Sequence, residues 1–144
     1  MRSSERLDKV KTMSKTLSTL IFGVGAMLAT SVVADGHVAE GEKLTAKSCK
    51  SCHMIADGDN VILKGGKVGP NLWGIIGRTA GSQEDFKYGK SLIQAGENGL
   101  VWDEEQLAGY IGDPKDYLRT YLDDSKAKSK MTFKLKKEDD RAAV

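Results

Sequence analysis

The sequence predicts an all-α domain of short helices and loops wrapped around a bound group, and three observations lead there. No stretch alternates apolar and polar residues with a period of two, so strands find no support. Helix starts are marked by capping chemistry at Asp103 and at Asp113-Pro114. The pentapeptide Cys49-Lys-Ser-Cys-His53 has the spacing used for covalent haem attachment. The chain has 144 residues, 22 Lys/Arg against 20 Asp/Glu, a net charge of +2 and 40% hydrophobic residues. That suits one ordinary domain and excludes a disordered chain or a multi-span membrane protein. A charge of +2 is too weak to indicate nucleic-acid binding, and no internal repeat or low-complexity tract is present.

Residues 1–34 read as an export signal. Lys9, Lys11 and Lys15 precede an uncharged stretch from Thr16 to Ala34, which contains the apolar run Leu20–Ala29. Val32-Val33-Ala34 then supplies small residues for cleavage, expected after Ala34. A transmembrane anchor needs about 20 strongly apolar residues, and this run is shorter and diluted by Ser, Thr and Gly. Met13 begins a complete signal by itself, so residues 1–12 read as an over-extended start. The leader alone carries +3 and residues 35–144 carry −1, so removing it reverses the sign of the protein. The expected mature chain is one domain, residues 35–144, in the periplasm.

A first helix is expected from about Ala39 into the C-x-x-C-H segment. Export favours testing a disulfide first, but a thiol–disulfide protein places C-x-x-C between a strand and a helix, and the flanks lack a β-rich run. A zinc site needs four ligands, and the mature chain offers only His37 besides these three. In the haem reading, both thiols add to porphyrin vinyl groups, and the adjacent imidazole of His53 is held over one face to bind iron. The other face needs its own ligand. The mature chain has two methionines: Met54 follows His53 directly and cannot reach around the macrocycle, which leaves Met131, with His37 as the weaker rival.

Farther along, Gly65-Gly66 and Gly69-Pro70 mark a turn-rich loop. Asp103 is an N-cap with Gln106 at the third helical position, and Trp102 and Leu107 have hydrophobic-staple spacing. Leu107, Tyr110 and Ile111 share one face of that helix. Asp113-Pro114 ends it and starts the next, whose apolar side is Leu118, Tyr121 and Leu122. Eight of the nine aromatics lie between Trp73 and Phe133. A flat macrocycle would add bulk to the small core such a chain can build.

These motifs together resemble the class I cytochromes c, within them the bacterial cytochrome c2/c550 group, over about Gly36 to Val144. The resemblance rests on Gly41, Cys49-Lys-Ser-Cys-His53, Gly69-Pro-Asn-Leu-Trp-Gly74, Gly77-Arg78, Phe86-Lys-Tyr88, Trp102, Tyr110, Asp113-Pro114 and Lys130-Met-Thr-Phe133. It implies one haem c, with Cys49 and Cys52 as thioether cysteines, His53 as proximal ligand and Met131 as distal ligand. It also implies that the Pro70 carbonyl accepts the proximal imidazole N–H, and that Arg78, Tyr88 and Trp102 surround the haem propionates. Tyr110 is implied to reach the methionine sulfur, and Phe133 to screen the haem edge. Two departures stand out. Leu44-Thr45 occupies the place of an aromatic before the haem motif, and the final amphipathic helix, starting at Lys136-Lys137, reaches only Val144 and reads as truncated.

With both axial positions filled, the implied task is one-electron transfer, with no catalytic acid, base or nucleophile. Lys126, Lys128, Lys130, Lys134, Lys136 and Lys137 bracket Met131, and Lys64 and Lys67 precede Pro70. Acids gather at Asp103-Glu104-Glu105 and Asp123-Asp124, so the lysines form a docking face for acidic partners. By resemblance the donor would be a cytochrome bc1 complex, the acceptor a terminal oxidase or photosynthetic reaction centre, and the carrier a monomer. The competing class is a haem enzyme or gas sensor with a labile distal ligand, peroxidase-like in its chemistry.

Overall fold

A computed structural model describes residues 32–144. The export-signal reading therefore falls mostly outside the described residues; no helix among them is long and apolar enough to cross a membrane. The elements in order are α1 (Val32–Ser48), β1 (Ile55–Asp57), β2 (Asn60–Leu63), α2 (Lys90–Glu97), α3 (Glu104–Gly112), α4 (Pro114–Tyr121) and α5 (Glu138–Ala143). The mostly helical expectation holds, with α1 starting seven residues before the predicted Ala39.

Three elements depart from the sequence reading. β1 and β2 form an antiparallel hairpin with an irregular register after Ile55. Strands this short carry too few residues to display alternation, and Val61 and Ile62 are both exposed, so no period of two exists to detect. Helix α2 was also not anticipated. Its Gly89 N-cap contributes no side-chain hydrogen bond, and Gly96 lies inside it. Its place is decided by packing: Ala95 and Gly96 are buried against the strand-like segment at Ala80.

The capping predictions at α3 and α4 hold. Asp103 Oδ1 accepts from the Gln106 N–H at 2.7 Å, and Asp113 Oδ1 accepts from the Asp116 N–H at 3.2 Å. Pro114 begins α4 and is fully buried. The reciprocal half of the capping box does not form, because the Gln106 side chain instead accepts from the Tyr117 hydroxyl of α4. Of α4's predicted apolar side, Leu118 is fully buried and Leu122 packs on the core, while Tyr121 stays 36% exposed and stacks on Tyr117.

The core is small and poor in bulk. Among the described residues, nine apolar ones are buried besides Pro114, and four of them are alanines: Ala56, Ala80, Ala95 and Ala127. Trp102, Tyr110, Leu100 and Leu118 supply most of the remaining volume, with Met131, Leu92, Leu107 and Ile111 packed around them. Helix α5 packs on α1 and α3. The approach to α1 is close at the buried Gly41: a Cβ there would lie 1.9 Å from the Ala143 carbonyl oxygen, so only glycine permits this crossing. No residue of α5 is buried; Arg141 fixes its start by donating to the carbonyls of Leu135 and Lys136, at 3.1 and 2.7 Å.

Candidate cofactor site

A cavity of about 440 Å³ lies against this core. All ten residues singled out in the sequence line it: Cys49, Cys52, His53, Pro70, Arg78, Tyr88, Trp102, Tyr110, Met131 and Phe133. They span 85 positions of the chain, and three local devices bring them together.

The first device folds the 64–73 loop back on the C-x-x-C-H segment. The N–H groups of Gly66, Gly69 and Leu72 donate to the carbonyls of Lys50, Cys52 and Met54, at 2.9, 2.8 and 3.0 Å. Asn71 clamps Ala56 from both sides, accepting from its N–H at 3.1 Å and donating to its carbonyl at 2.7 Å. Pro70 is thereby set against His53, whose Nδ1 lies 2.8 Å from the Pro70 oxygen. A carbonyl only accepts, so Nδ1 carries the proton and Nε2 keeps a free lone pair. Gly69 backs the ring so closely that a Cβ would come within 2.2 Å of Cε1 and 2.6 Å of Nε2.

The second device pairs residues 77–80 with 100–102. The Trp102 N–H donates to the Arg78 carbonyl at 2.9 Å, and the Gly77 N–H to the Trp102 carbonyl at 2.7 Å. Arg78 and Trp102 therefore reach the cavity side by side. The Arg78 guanidinium is held by the carbonyls of Asn71 and Trp73 and by Gln83. Burial pushes the Tyr88 phenol up, and Arg78 partly offsets the rise.

The third device pins the segment carrying Met131. The Lys128 N–H donates to Ser91 Oγ at 3.0 Å, the Lys130 ammonium to the Lys87 carbonyl at 2.7 Å, and the Leu135 N–H to the Ile111 carbonyl at 2.8 Å. Ser129 Oγ accepts from the Met131 N–H at 3.1 Å and lies 3.2 Å from the Tyr110 hydroxyl. The Tyr110 hydroxyl thus stands beside Ser129, two residues away from Met131. Burial also pushes the Tyr110 phenol up, against the opposing hydrogen bond from Ser129.

Lys134 forms an ion pair with Asp113, joining the Met131 segment to the α3–α4 corner. The Lys134 bond, then the Asp116 N–H, hold the Asp113 carboxyl below its usual value. A depressed folded pKa contributes stability above the unfolded value of roughly 4. That contribution is lost as pH falls through the folded pKa. Asp113→Asn is therefore expected to lower the urea midpoint at pH 7. The difference from wild type should narrow as the pH falls through the folded pKa; a difference that stays constant on acidification would refute the assignment.

Several lining residues were not assigned to the site from the sequence. Leu72, Ile75, Phe86, Leu92, Leu107 and Ile111 give the cavity its apolar surface, and only their place on its wall separates them from ordinary core. Gly69 was quoted as part of a motif, but its contact with the imidazole is visible only in three dimensions. The side chain of His37, the rival ligand, lies outside the described ones.

The cavity fits a covalently held flat macrocycle. Its lining includes paired thiols, an imidazole with its Nε2 free, a thioether and many apolar side chains. Burial, then neighbouring Cys52, pushes the Cys49 thiol up, whereas a nucleophilic redox cysteine has a lowered value. The C-x-x-C pair also lies between a helix and a hairpin, not in a βαβ unit. Fold and donors together define a c-type cytochrome.

No family model matches the chain. Cytochrome c-551 of Roseobacter denitrificans is 50% identical over 125 residues, covering 86% of this chain and 87% of the relative. Cytochrome c2 of Cereibacter sphaeroides is 53% identical over 95 residues, covering 64% of this chain and 77% of the relative. The solved cytochrome c2 of Rhodobacter capsulatus superposes with a TM-score of 0.69 at 48% identity, covering 74% of this chain and 91% of its own. The chain belongs to the bacterial cytochrome c2/c-550 group of class I cytochromes c, electron carriers with one covalent haem c.

Proposed function

We propose that the mature chain, residues 35–144, is a periplasmic one-electron shuttle. Cys49 and Cys52 hold the haem, and His53 and Met131 ligate its iron. The observation that carries this reading is the His53–Pro70 hydrogen bond at 2.8 Å, which leaves Nε2 free in a cavity that Met131 also lines. When bound, the haem supplies an iron centre that gains or loses one electron, at a potential raised by His/Met ligation. The Pro70 carbonyl orients the imidazole and increases its basicity. Arg78, Tyr88 and Trp102 provide donors for the propionates, and Phe133, 39% exposed, covers an edge of the cavity. Among the described side chains, His53 is the one histidine that lines the cavity. No residue is assigned a catalytic role.

Docking to a cytochrome bc1 complex as donor, and to an oxidase or reaction centre as acceptor, uses the exposed Lys64, Lys67, Lys126, Lys128, Lys130 and Lys134. Lys90 joins them through the fold: with Lys126, Lys128 and Lys130 it lines a second cleft of about 430 Å³ that contains no acidic residue. Lys134 is engaged with Asp113, so its charge contributes least to this face.

The intact mass of the exported protein should equal the mature chain plus one haem. In the oxidised protein the weak red absorption band of thioether–Fe(III) ligation should be present, and Met131→Ala should abolish it and lower the potential. Its persistence in that variant would refute the ligand assignment.

A further inference from the structure

The chain contains three asparagines, and only Asn98 is followed by glycine. With no side chain to shield it, the glycine nitrogen is the main-chain nitrogen that most readily attacks a preceding asparagine amide. Asn60 is followed by the β-branched Val61. Asn71 is followed by Leu72 and has both ends of its amide bonded to Ala56. Asn98 and Gly99 are both exposed, at the end of α2.

The fold holds this pair out of reaction. The Gly99 N–H donates to the Gly96 carbonyl and the Leu100 N–H to the Ala95 carbonyl, both at 2.9 Å, the two bonds of a Schellman cap. Gly99 supplies the positive φ, 95°, that the cap requires. Ring closure needs the Asn98 Cβ and the Gly99 nitrogen on the same side of the Asn98 Cα–C bond, and the ψ of 7° keeps them apart. The attacking nitrogen is therefore both occupied and turned away. Packing keeps the cap closed: Ala95 and Gly96, which accept its bonds, are buried, and a Cβ on Gly96 would lie 2.0 Å from the Ala80 carbonyl oxygen.

We propose that Asn98 is a deamidation site governed by this cap: it reacts only when the end of α2 opens, and its product hinders the cap from closing again. In the open state the Gly99 nitrogen bonds to Asn98 Cγ and gives up its proton. The side-chain Cγ–N bond breaks, and the amide nitrogen leaves as ammonia with that proton. Water then opens the five-membered imide. Opening at Cγ restores the main chain with an aspartate, and opening at the main-chain carbonyl routes the chain through the side chain as isoaspartate. One water is exchanged for one ammonia, with no oxidation or reduction.

Both products place a carboxylate at the C-terminus of α2, next to Glu97, where the helix dipole disfavours negative charge. Isoaspartate also adds a methylene to the main chain and breaks the register of the two cap bonds. Helix α2 carries Ser91, whose hydroxyl accepts the Lys128 N–H at 3.0 Å, so a loosened α2 weakens the hold on the segment bearing Met131.

The test ages holoprotein in mildly alkaline buffer and quantifies aspartate and isoaspartate at Asn98 by peptide mapping, for the folded protein and for the same protein unfolded in urea. Conversion should be at least about tenfold slower in the folded protein, as expected when reaction waits on local opening. Below the unfolding transition, urea should raise the rate in step with amide exchange at Gly99 and Leu100. Gly96→Ala, which presses on Ala80, should accelerate conversion severalfold relative to its own unfolded rate. Equal rates in folded and unfolded wild type would overturn the proposal, and so would conversion confined to Asn60 or Asn71. If Gly96→Ala does not fold, the urea series decides: a rate that ignores the exchange of Gly99 refutes control by the cap. The deamidated protein, separated by its added negative charge, should exchange the Gly99 and Lys128 amides faster than the unreacted protein. Equal exchange would refute the effect assigned to the product.

Discussion

Gly69→Ala is expected to yield exported protein with little correctly ligated haem. The added methyl group would lie 2.2 Å from His53 Cε1, 2.5 Å from Nδ1 and 2.6 Å from Nε2, far inside contact distance. The loop cannot readily retreat, because the Gly69 N–H is bound to the Cys52 carbonyl at 2.8 Å and Asn71 is clamped to Ala56. The imidazole must therefore turn, and its bond to Pro70 breaks. Disturbing such an orienting partner typically costs about 10–100-fold in affinity or activity at metal sites, and here the ring itself is displaced. Haem stain per mole of protein and the low-spin visible spectrum measure the effect. A Gly69→Ala variant with wild-type haem content and spectrum would show that His53 is not held as described.

Leu118→Ala is expected to produce the largest loss of stability among core substitutions. Leu118 is fully buried and, with Leu100 and Pro114, is one of the three largest side chains fully enclosed. Removing it from a packed core costs about 2–5 kcal/mol, a large part of the roughly 5–15 kcal/mol that holds a domain together. The four alanines among the nine buried apolar residues leave little neighbouring bulk to collapse into the space. Chemical denaturation of the holoprotein checks the figure. A loss below about 1 kcal/mol would mean that α4 is not seated on the core as its burial indicates.

Helix boundaries with a chemical marker were legible. Asp103 and Asp113-Pro114 announced α3 and α4 because capping is local: the side-chain acceptor and the N–H it satisfies lie three residues apart. The C-x-x-C-H motif was legible for the same reason, since its chemistry is contained in five consecutive residues. Helix α2 and the β1–β2 hairpin were not. The hairpin shows no alternation, and the buried face of α2 is only two turns long and built mostly of small residues; both depend on partners distant in the chain, α2 on Ala80 and the hairpin on Asn71.

The site divides along the same line. Met131 was reached by elimination, because only one other methionine follows the leader and it adjoins His53. The Tyr110 role came by resemblance alone, and the serine hydroxyl beside its phenol was not legible in the sequence. The structure places Ser129 Oγ 3.2 Å from the phenol. The full capping box was expected at α3 because Gln106 has the right spacing, but Tyr117, brought across by the α3–α4 turn, takes its side chain.

By itself, the sequence determined the attachment chemistry, the candidate axial ligands, two helix starts and the charge asymmetry. Each depends on residue identity and short spacing. Only the tertiary structure decided which nitrogen of His53 is free, which glycine must stay bare and where the Tyr110 hydroxyl points. It alone decided that Lys90 lies in one cleft with Lys126, Lys128 and Lys130. Those outcomes depend on distances between atoms many residues apart, set when the chain closes on a core too small to fill itself.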